Sequence, residues 1–386
     1  MSRARTWVGV LAALASAATL TLVVPGPATA QLASPTAASW AWGVNGPVYA
    51  VATSGDKLIV GGAFSKAVGR NGATLPRRNL AAFSLRTGRP LKGWVANTDG
   101  TVFALNTSKS SVWVGGAFEV IGGSGQEHVA KLSLSNGAVS PGFVLDTNGA
   151  VRAFARQGNR LFAGGDFTSA QEEPHAHVVA VDATTGATDP AFTAATDGTV
   201  RALALKGARL YVGGNFTTID DRLRTGMGSV DPMSGAVSTQ IFRYPNASRT
   251  TPALVNAIDV SSDGRVVAAM GGKPINGNQA VGWGPSAGKA AWRVHFAGDA
   301  QAVRLAGGTA YVGIHGKYKG NGSLHLLAID ARTGKVSSTF RPAFTGFWGV
   351  RSIAVSSRGI VAGGQFSKVD QKRRNRVAFF PFGTKG

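Results

Sequence analysis

Cysteine is absent from the 386 residues. Its absence excludes a disulfide framework, a thiolate metal site, a lipoprotein anchor and an oxidase built on a Cys–Tyr crosslink. Acidic residues are scarce, 19 Asp and Glu against 40 Lys and Arg, which leaves a net charge of +21. Charged residues make up only 15% of the chain against 44% hydrophobic, a balance that excludes a disordered polyelectrolyte and suffices for a sizeable core. Past the first thirty residues no apolar run is long enough to span a membrane. Helical periodicity is also sparse. What remains is a basic chain whose stability must come from packing.

The first thirty residues differ in kind from the rest. Arg3 and Arg5 precede an apolar run over 7–24 that breaks at Pro25-Gly26-Pro27, and Ala28-Thr29-Ala30 has the small-x-small form of a cleavage site. The pattern predicts a signal peptide over 1–30 and a single domain over 31–386, secreted or held at the cell wall, with no stable membrane span after cleavage. An uncleaved anchor is the alternative, although a run of about 18 residues is at the short end for spanning. The leader holds two arginines and no acid, so the remainder keeps +19. In an exported protein that charge suggests an anionic polysaccharide, a wall polymer or lipid headgroups as surroundings; a general solubility charge is the bland reading. Nucleic acid is not an expected partner after export.

Glycine is abundant, at 53 residues, and it is placed periodically. A Gly-Gly-x-Phe signature preceded by Val or Ala occurs at 60–64, 114–118, 163–167, 212–216 and 362–366, with worn copies at Met270-Gly271-Gly272 and Val312-Gly313. The first glycines stand 54, 49, 49, 58, 42 and 50 residues apart, and a period of this size marks a repeat architecture. Each copy reads as four short antiparallel strands: one at Val200, a second rich in β-branched and aromatic residues ending at Phe216, a third like 178–182, and a short fourth through Phe192. Val48, Val102, Val151, Val200, Ala300 and Val350 each lie 13 residues before their first glycine; Val255 lies 16 before. The third position of that strand is always small: Ala50, Ala104, Ala153, Ala202, Ala257, Ala302 and Ser352.

A four-stranded sheet has two apolar faces, and stacking in a ring buries them all. The last repeat ends with its third strand at 377–382, and the chain after the leader begins with a fourth-strand pattern: Trp40 precedes Gly46 by six residues, as Trp94 precedes Gly100. The predicted fold is therefore all-β, a seven-bladed β-propeller with four antiparallel strands per blade, its N-terminal strand closing the last blade.

Gly363-Gly364-Gln365-Phe366 followed by Arg374-Asn375-Arg376-Val377-Ala378 resembles the delta-sixty-type repeat of exported bacterial β-propellers. Asn79-Leu80-Ala81-Ala82-Phe83 and Asp197-Gly198 fit the same pattern. The resemblance implies a propeller fold and carries no settled activity. The runs 180–186 and 328–334 are also similar to the Ala-x-Asp-x-x-Thr-Gly turn of quinoprotein dehydrogenase propellers, which in that family locks blades together and argues fold rather than cofactor.

In such a ring the second residue of each first strand faces the channel mouth. Those residues are Tyr49, Phe103, Arg152, Arg201, Asn256, Gln301 and Arg351. Arg152, Arg201 and Arg351 are the candidate ligands for a carboxylate or phosphate, flanked by Tyr49 and Phe103; pairing with acids such as Asp146 or Asp197 is the bland reading. Basic loops holding Arg70, Arg77, Arg78, Arg222, Arg224, Lys317, Lys319, Lys368, Lys372, Arg373, Arg374 and Arg376 oppose Glu119, Glu127, Glu172 and Glu173 on the second and third repeats; such a lopsided face would orient a polyanion, and solvated loop charge is the bland reading. His175 and His177 beside Glu172 and Glu173 form a weak metal candidate. Gly284-Pro285-Ser286-Ala287-Gly288 matches a hydrolase string but fills a turn rather than a strand-to-helix elbow. No cofactor is implied.

The expected function is that of a binding or interaction module recognising an anionic cell-envelope glycan or an envelope protein on its loop face. A lyase or glycosidase at the channel mouth is the alternative and needs paired carboxylates. Asp99 and Asp197, in the inter-blade turns, are the only regular candidates for that role and also suit turn chemistry. A purely structural scaffold is the third reading.

Overall fold

The computed structural model describes residues 32–243, 253–272 and 277–383, so the segment read as a signal peptide lies outside the described residues. The fold is all-β, with no helix among the described residues. It is built from small antiparallel sheets that follow the sequence repeat. The regular ladders are Val48–Ser54, Lys57–Gly62 and Leu80–Ser84; Val102–Thr107, Ser111–Gly116 and Val129–Ser133; Val151–Gln157, Arg160–Gly165 and Val178–Asp182. They continue with Val200–Lys206, Arg209–Gly214 and Met227–Val230; then Leu254–Val260, Val266–Gly271, Gln279–Trp283 and Trp292–His295. Ala300–Ala306, Thr309–Ile314 and Leu326–Asp330 precede the last ladder, Val350–Ser356, Gly359–Gly364 and Val377–Pro381.

The four-strand expectation is thus met by a continuous ladder only in the fifth repeat. In five others the fourth segment touches the third strand through a single bridge, such as Phe83↔Pro90, Leu132↔Val139 and Val181↔Thr188. Pro90, Pro141 and Pro190 each remove a ladder donor there in the first three repeats, whereas the fourth and sixth keep the same single bridge with no proline between it and the aromatic. The fifth repeat has no proline between its third and fourth strands other than Pro285 in the turn, and Gln279 to Gly282 pair with Trp292 to His295 without interruption. The aromatic of the fourth segment is nonetheless an anchor: Trp94, Phe143, Phe192 and Phe340 are all buried. Each is worth roughly 1.5–3 kcal/mol or more in apolar area removed from water.

At the last repeat the N-terminal segment takes the fourth place. The Ser34 amide donates to the Pro381 carbonyl at 2.7 Å, the Ala38 amide to the Phe379 carbonyl at 2.7 Å, and Ala33 bridges Phe382. Trp40 stacks on Phe379 with ring centroids 5.0 Å apart. Buried Arg374 adds a further tie, its guanidinium donating to the Ala37 carbonyl at 3.1 Å. Arg77 and Arg224 hold matching places, reaching the Lys92 and Ser238 carbonyls at 2.7 and 2.8 Å. These three arginines, read from sequence as solvated loop charge, are instead clamps between the third-strand approach and the fourth segment.

Close approach between neighbouring sheets depends on the first glycine of the signature. A Cβ on Gly164 would lie 2.5 Å from Val200 Cγ1, one on Gly213 would lie 2.6 Å from Val255 Cγ1, and one on Gly363 would lie 2.6 Å from Val48 Cγ1. Each glycine therefore receives the leading valine of the next repeat, and the last glycine receives that of the first. The seven apolar clusters of the core each fill the space between two neighbouring sheets. One of them joins Val48, Val51 and Leu58 to Val361, Val377 and Phe379.

The fifth repeat departs from the sequence alignment. Ala257 pairs with Ala269 as Ala202 pairs with Gly213, so Ala269 and Met270 occupy the two glycine places and Gly271-Gly272 lies beyond them. The offset of Val255 is therefore one residue longer than in its sisters, not three.

Two outcomes follow for stability. Gly164→Ala is expected to lower unfolding free energy in urea by about 1–3 kcal/mol through overpacking against Val200, whereas Gly93→Ala, whose Cβ would meet nothing, should stay within about 0.5 kcal/mol. Trp40→Ala should cost about 3–5 kcal/mol by removing the stack that ties the N-terminal segment to the last sheet; a loss under about 1 kcal/mol would mean this contact does not hold the termini together.

Candidate binding site

The first strand of every repeat carries a β-bulge at its second residue. Pairing jumps from Val151↔Gly165 to Ala153↔Gly164, skipping Arg152, and the same jump skips Tyr49, Phe103, Arg201, Asn256, Gln301 and Arg351. A bulge leaves the extra residue out of the ladder and turns its side chain away from the sheet face. Here all seven re-aimed side chains line one space. Two contiguous cavities share them: an inner one of about 130 Å³, lined further by Ala104, Ala153, Ala202 and Ser352, and an outer one of about 240 Å³, lined further by Leu254, Asp299 and Trp348. The five sequence-predicted residues, Arg152, Arg201, Arg351, Tyr49 and Phe103, therefore all face the same space.

Their electrostatic situations differ. Arg152 is committed: its Nε lies 2.7 and 2.8 Å from the two carboxylate oxygens of Asp166, and its Nη2 lies 2.6 Å from Oδ2. The partner is neither Asp146 nor Asp197 but the variable residue of the same repeat's Gly-Gly-x-Phe signature. Burial works against ionisation of Asp166, but the hydrogen bonds and charge of Arg152, the Thr199 hydroxyl and the charge of Arg201 outweigh it and hold the carboxyl below its ordinary value.

Arg201 and Arg351 have no carboxylate in direct contact among the described residues, and the Nε of each is buried without an acceptor there. Burial pushes both guanidiniums below their usual value; nearby Arg152 adds to this at Arg201, while the negative field of Asp299 opposes it at both. Arg351 lies between two rings, 5.2 Å from the Tyr49 centroid and 4.8 Å from that of Trp348. Such cation–π contacts orient the guanidinium without consuming its hydrogen-bond donors. Tyr49 and Phe103 pack against each other at 5.6 Å.

Three further residues complete the site. Asp299 accepts from the Gly272 amide at 3.0 Å and faces His315 Nδ1 at 3.9 Å. It fits there because Gly271 has no side chain: a Cβ would lie 2.6 Å from the Asp299 carboxyl carbon. Phe347 and Trp348 stand 63% and 42% exposed, with centroids 5.2 Å apart and each within 5.3 Å of the His315 ring. A signal for them was present in the sequence. Three residues lead from Asp99 to Val102 and from Asp197 to Val200, whereas five lead from Thr345 to Val350, and the two extra residues are Phe347 and Trp348.

The remaining sequence candidates resolve differently. Asp99 Oδ1 accepts the Glu119 and Val120 amides, and Asp197 Oδ1 those of Thr217 and Thr218, at 2.7–3.0 Å; both aspartates cap loop backbone. His177 sits in the left-handed region at φ 68°, its Nδ1 3.2 Å from the Gly165 carbonyl. No cluster of three or more His, Asp or Glu able to hold a metal exists among the described residues. Gly284 lies just past the strand Gln279–Trp283 and Gly288 begins Gly288–Lys289, a strand-to-strand turn rather than a nucleophile elbow.

No protein-family model matches the chain, and no curated protein does. Among solved structures it is similar to a computationally designed protein, Ika8, at 13% identity and a TM-score of 0.50, with 91% of this chain and all of that one covered. At that identity the likeness speaks to fold alone.

The Arg152–Asp166 pair has a pH signature. A carboxyl whose folded pKa is depressed stabilises the fold above its unfolded value, about pH 4, and loses that contribution as the pH falls through the folded value. The stability gap between the native protein and Asp166→Asn, read from urea unfolding at stepped pH, should be widest above about pH 5 and close below about pH 4. A gap that stays constant across that window would exclude ionised Asp166 as its source.

Proposed function

We propose that the chain is a seven-bladed β-propeller, closed by its N-terminal strand, that is exported and binds an anionic cell-envelope glycan or wall polymer at the mouth of its central channel. Closure is supported by the neighbour relations of the first strands. Each lies beside those before and after it, and Val350–Ser356 lies beside Val48–Ser54, where the Val51 amide donates to Ser352 Oγ at 3.0 Å.

The observation that carries the binding reading is the pair Arg201 and Arg351: desolvated, facing one cavity, and without a carboxylate partner in contact among the described residues. Both residues are half-buried, and a buried Nε with no acceptor costs free energy that an anionic ligand recovers. Arg152 is not part of this pair, because Asp166 already satisfies it. A glycosidase or lyase needs two carboxylates converging on the substrate. Asp299 is the only carboxylate among the residues that line the two cavities, and this favours binding over turnover.

The test is a binding screen of the purified protein against acidic and neutral envelope glycans at low and high salt. Acidic glycans should bind with an affinity that falls as salt rises. Replacing both Arg201 and Arg351 by Ala should weaken that binding by about tenfold or more, while Arg222→Ala on an exposed loop should not. Equal affinity of the double variant and the native protein would reject the reading.

A further inference from the structure

Resting on the reading above, we infer that the mouth recognises one carboxylated pyranose, a uronic-acid-type sugar at a chain end or branch, its ring lying on the Phe347–Trp348 shelf and its carboxylate on Arg351 and Arg201. Four observations converge on this ligand. The shelf is an insertion of two residues relative to five of the seven links, the link before Val255 being longer still, and those two residues are exposed aromatics. Two adjacent exposed rings beside a cavity form a contiguous apolar patch of the kind that marks a ligand surface. The apolar C–H face of a pyranose is such a surface, as an aromatic side chain offers a large apolar face.

The guanidinium of Arg351 is held 4.8 Å from the Trp348 ring, so a sugar on the shelf has its substituents within reach of a planar, bidentate donor suited to carboxylate. Charge sets the valence. Around the outer cavity Arg152 and Asp166 cancel, and Asp299 offsets one of the two remaining guanidiniums, leaving one net positive charge that matches a monoanion; Arg304 lines the inner cavity alone. Asp299 Oδ1 is engaged by the Gly272 amide and Oδ2 lies 3.9 Å from His315 Nδ1; the carboxylate lines the outer cavity and keeps lone pairs to accept a sugar hydroxyl. Size sets the extent. The outer cavity of about 240 Å³, even with the inner one of about 130 Å³ that adjoins it, stays at the low end of the roughly 300–1,000 Å³ of drug-sized ligand sites, room for one sugar rather than a threaded chain.

The experiment compares four probes by isothermal titration calorimetry with the full protein: oligogalacturonate, glucuronic acid, a matched neutral oligosaccharide and a glycerol-phosphate oligomer. The two carboxylated sugars should bind with similar affinity, and the neutral one at least about tenfold more weakly. Trp348→Ala and Arg351→Ala should each reduce uronate affinity by about tenfold, with Phe347→Leu reducing it less. An Arg351-dependent but Trp348-independent preference for the phosphate oligomer would overturn the sugar inference and leave anion binding at the mouth standing. Absence of binding by all charged probes, with thermal unfolding of the protein intact, would overturn both.

Discussion

Everything in this molecule depends on how closely one sheet approaches the next. At the first glycine of each signature the leading valine of the following repeat occupies the space where a side chain would stand, and Gly363 receives Val48 in the same way. In the fifth repeat Ala269 stands in the glycine's place and the next strand leads with Ala300 rather than valine; at the other six places a methyl group would push two sheets apart. The leading residue of each first strand, valine in six and Ala300 in the sixth repeat, and the small third residue, Ala or Ser, pair with consecutive residues of the second strand, so the residue between them is left out of the ladder as a bulge. The packing contact and the functional side chain are therefore consequences of one another.

That coupling explains why the cavity is lined so regularly and where it is not. Seven bulged residues define one level, and variation in their identity sets the chemistry. Two local departures then break the regularity. The fifth repeat shifts its glycines beyond the paired places, and Gly271 leaves room for the Asp299 carboxylate. The link before Val350 is longer and carries Trp348 to the same space, with Phe347 packed against it. A scaffold whose first hairpin keeps nearly constant spacing has changed where the links before Ala300 and Val350 meet the cavity.

Much of this was legible in sequence, for a definable reason. Glycine pairs, a following phenylalanine and a small third residue report sterics local to one hairpin and its neighbour, so their spacing repeats whenever the geometry does. Trp40 matched Trp94 in its distance from the following glycine, and both are buried as fourth-segment anchors. The charge partners were not legible. Arg152 meets Asp166, 14 residues away, and not the nearer Asp146, because the bulge and the second strand place residue two opposite the signature's variable position. Arg77, Arg224 and Arg374 looked like surface charge because a loop's composition does not reveal which carbonyls it crosses.

The sequence alone determined the all-β class, the repeat length and the identities of the five side chains that meet in the cavity, since strand alternation and glycine spacing are one-dimensional properties. Tertiary structure decided which of three arginines is left without a carboxylate, which aspartate is a cap and which lines the cavity, and that an added Phe-Trp pair stands beside Arg351. Electrostatic pairing and exposure are set by distances between residues far apart in the chain, and those distances exist only after the sheets have packed.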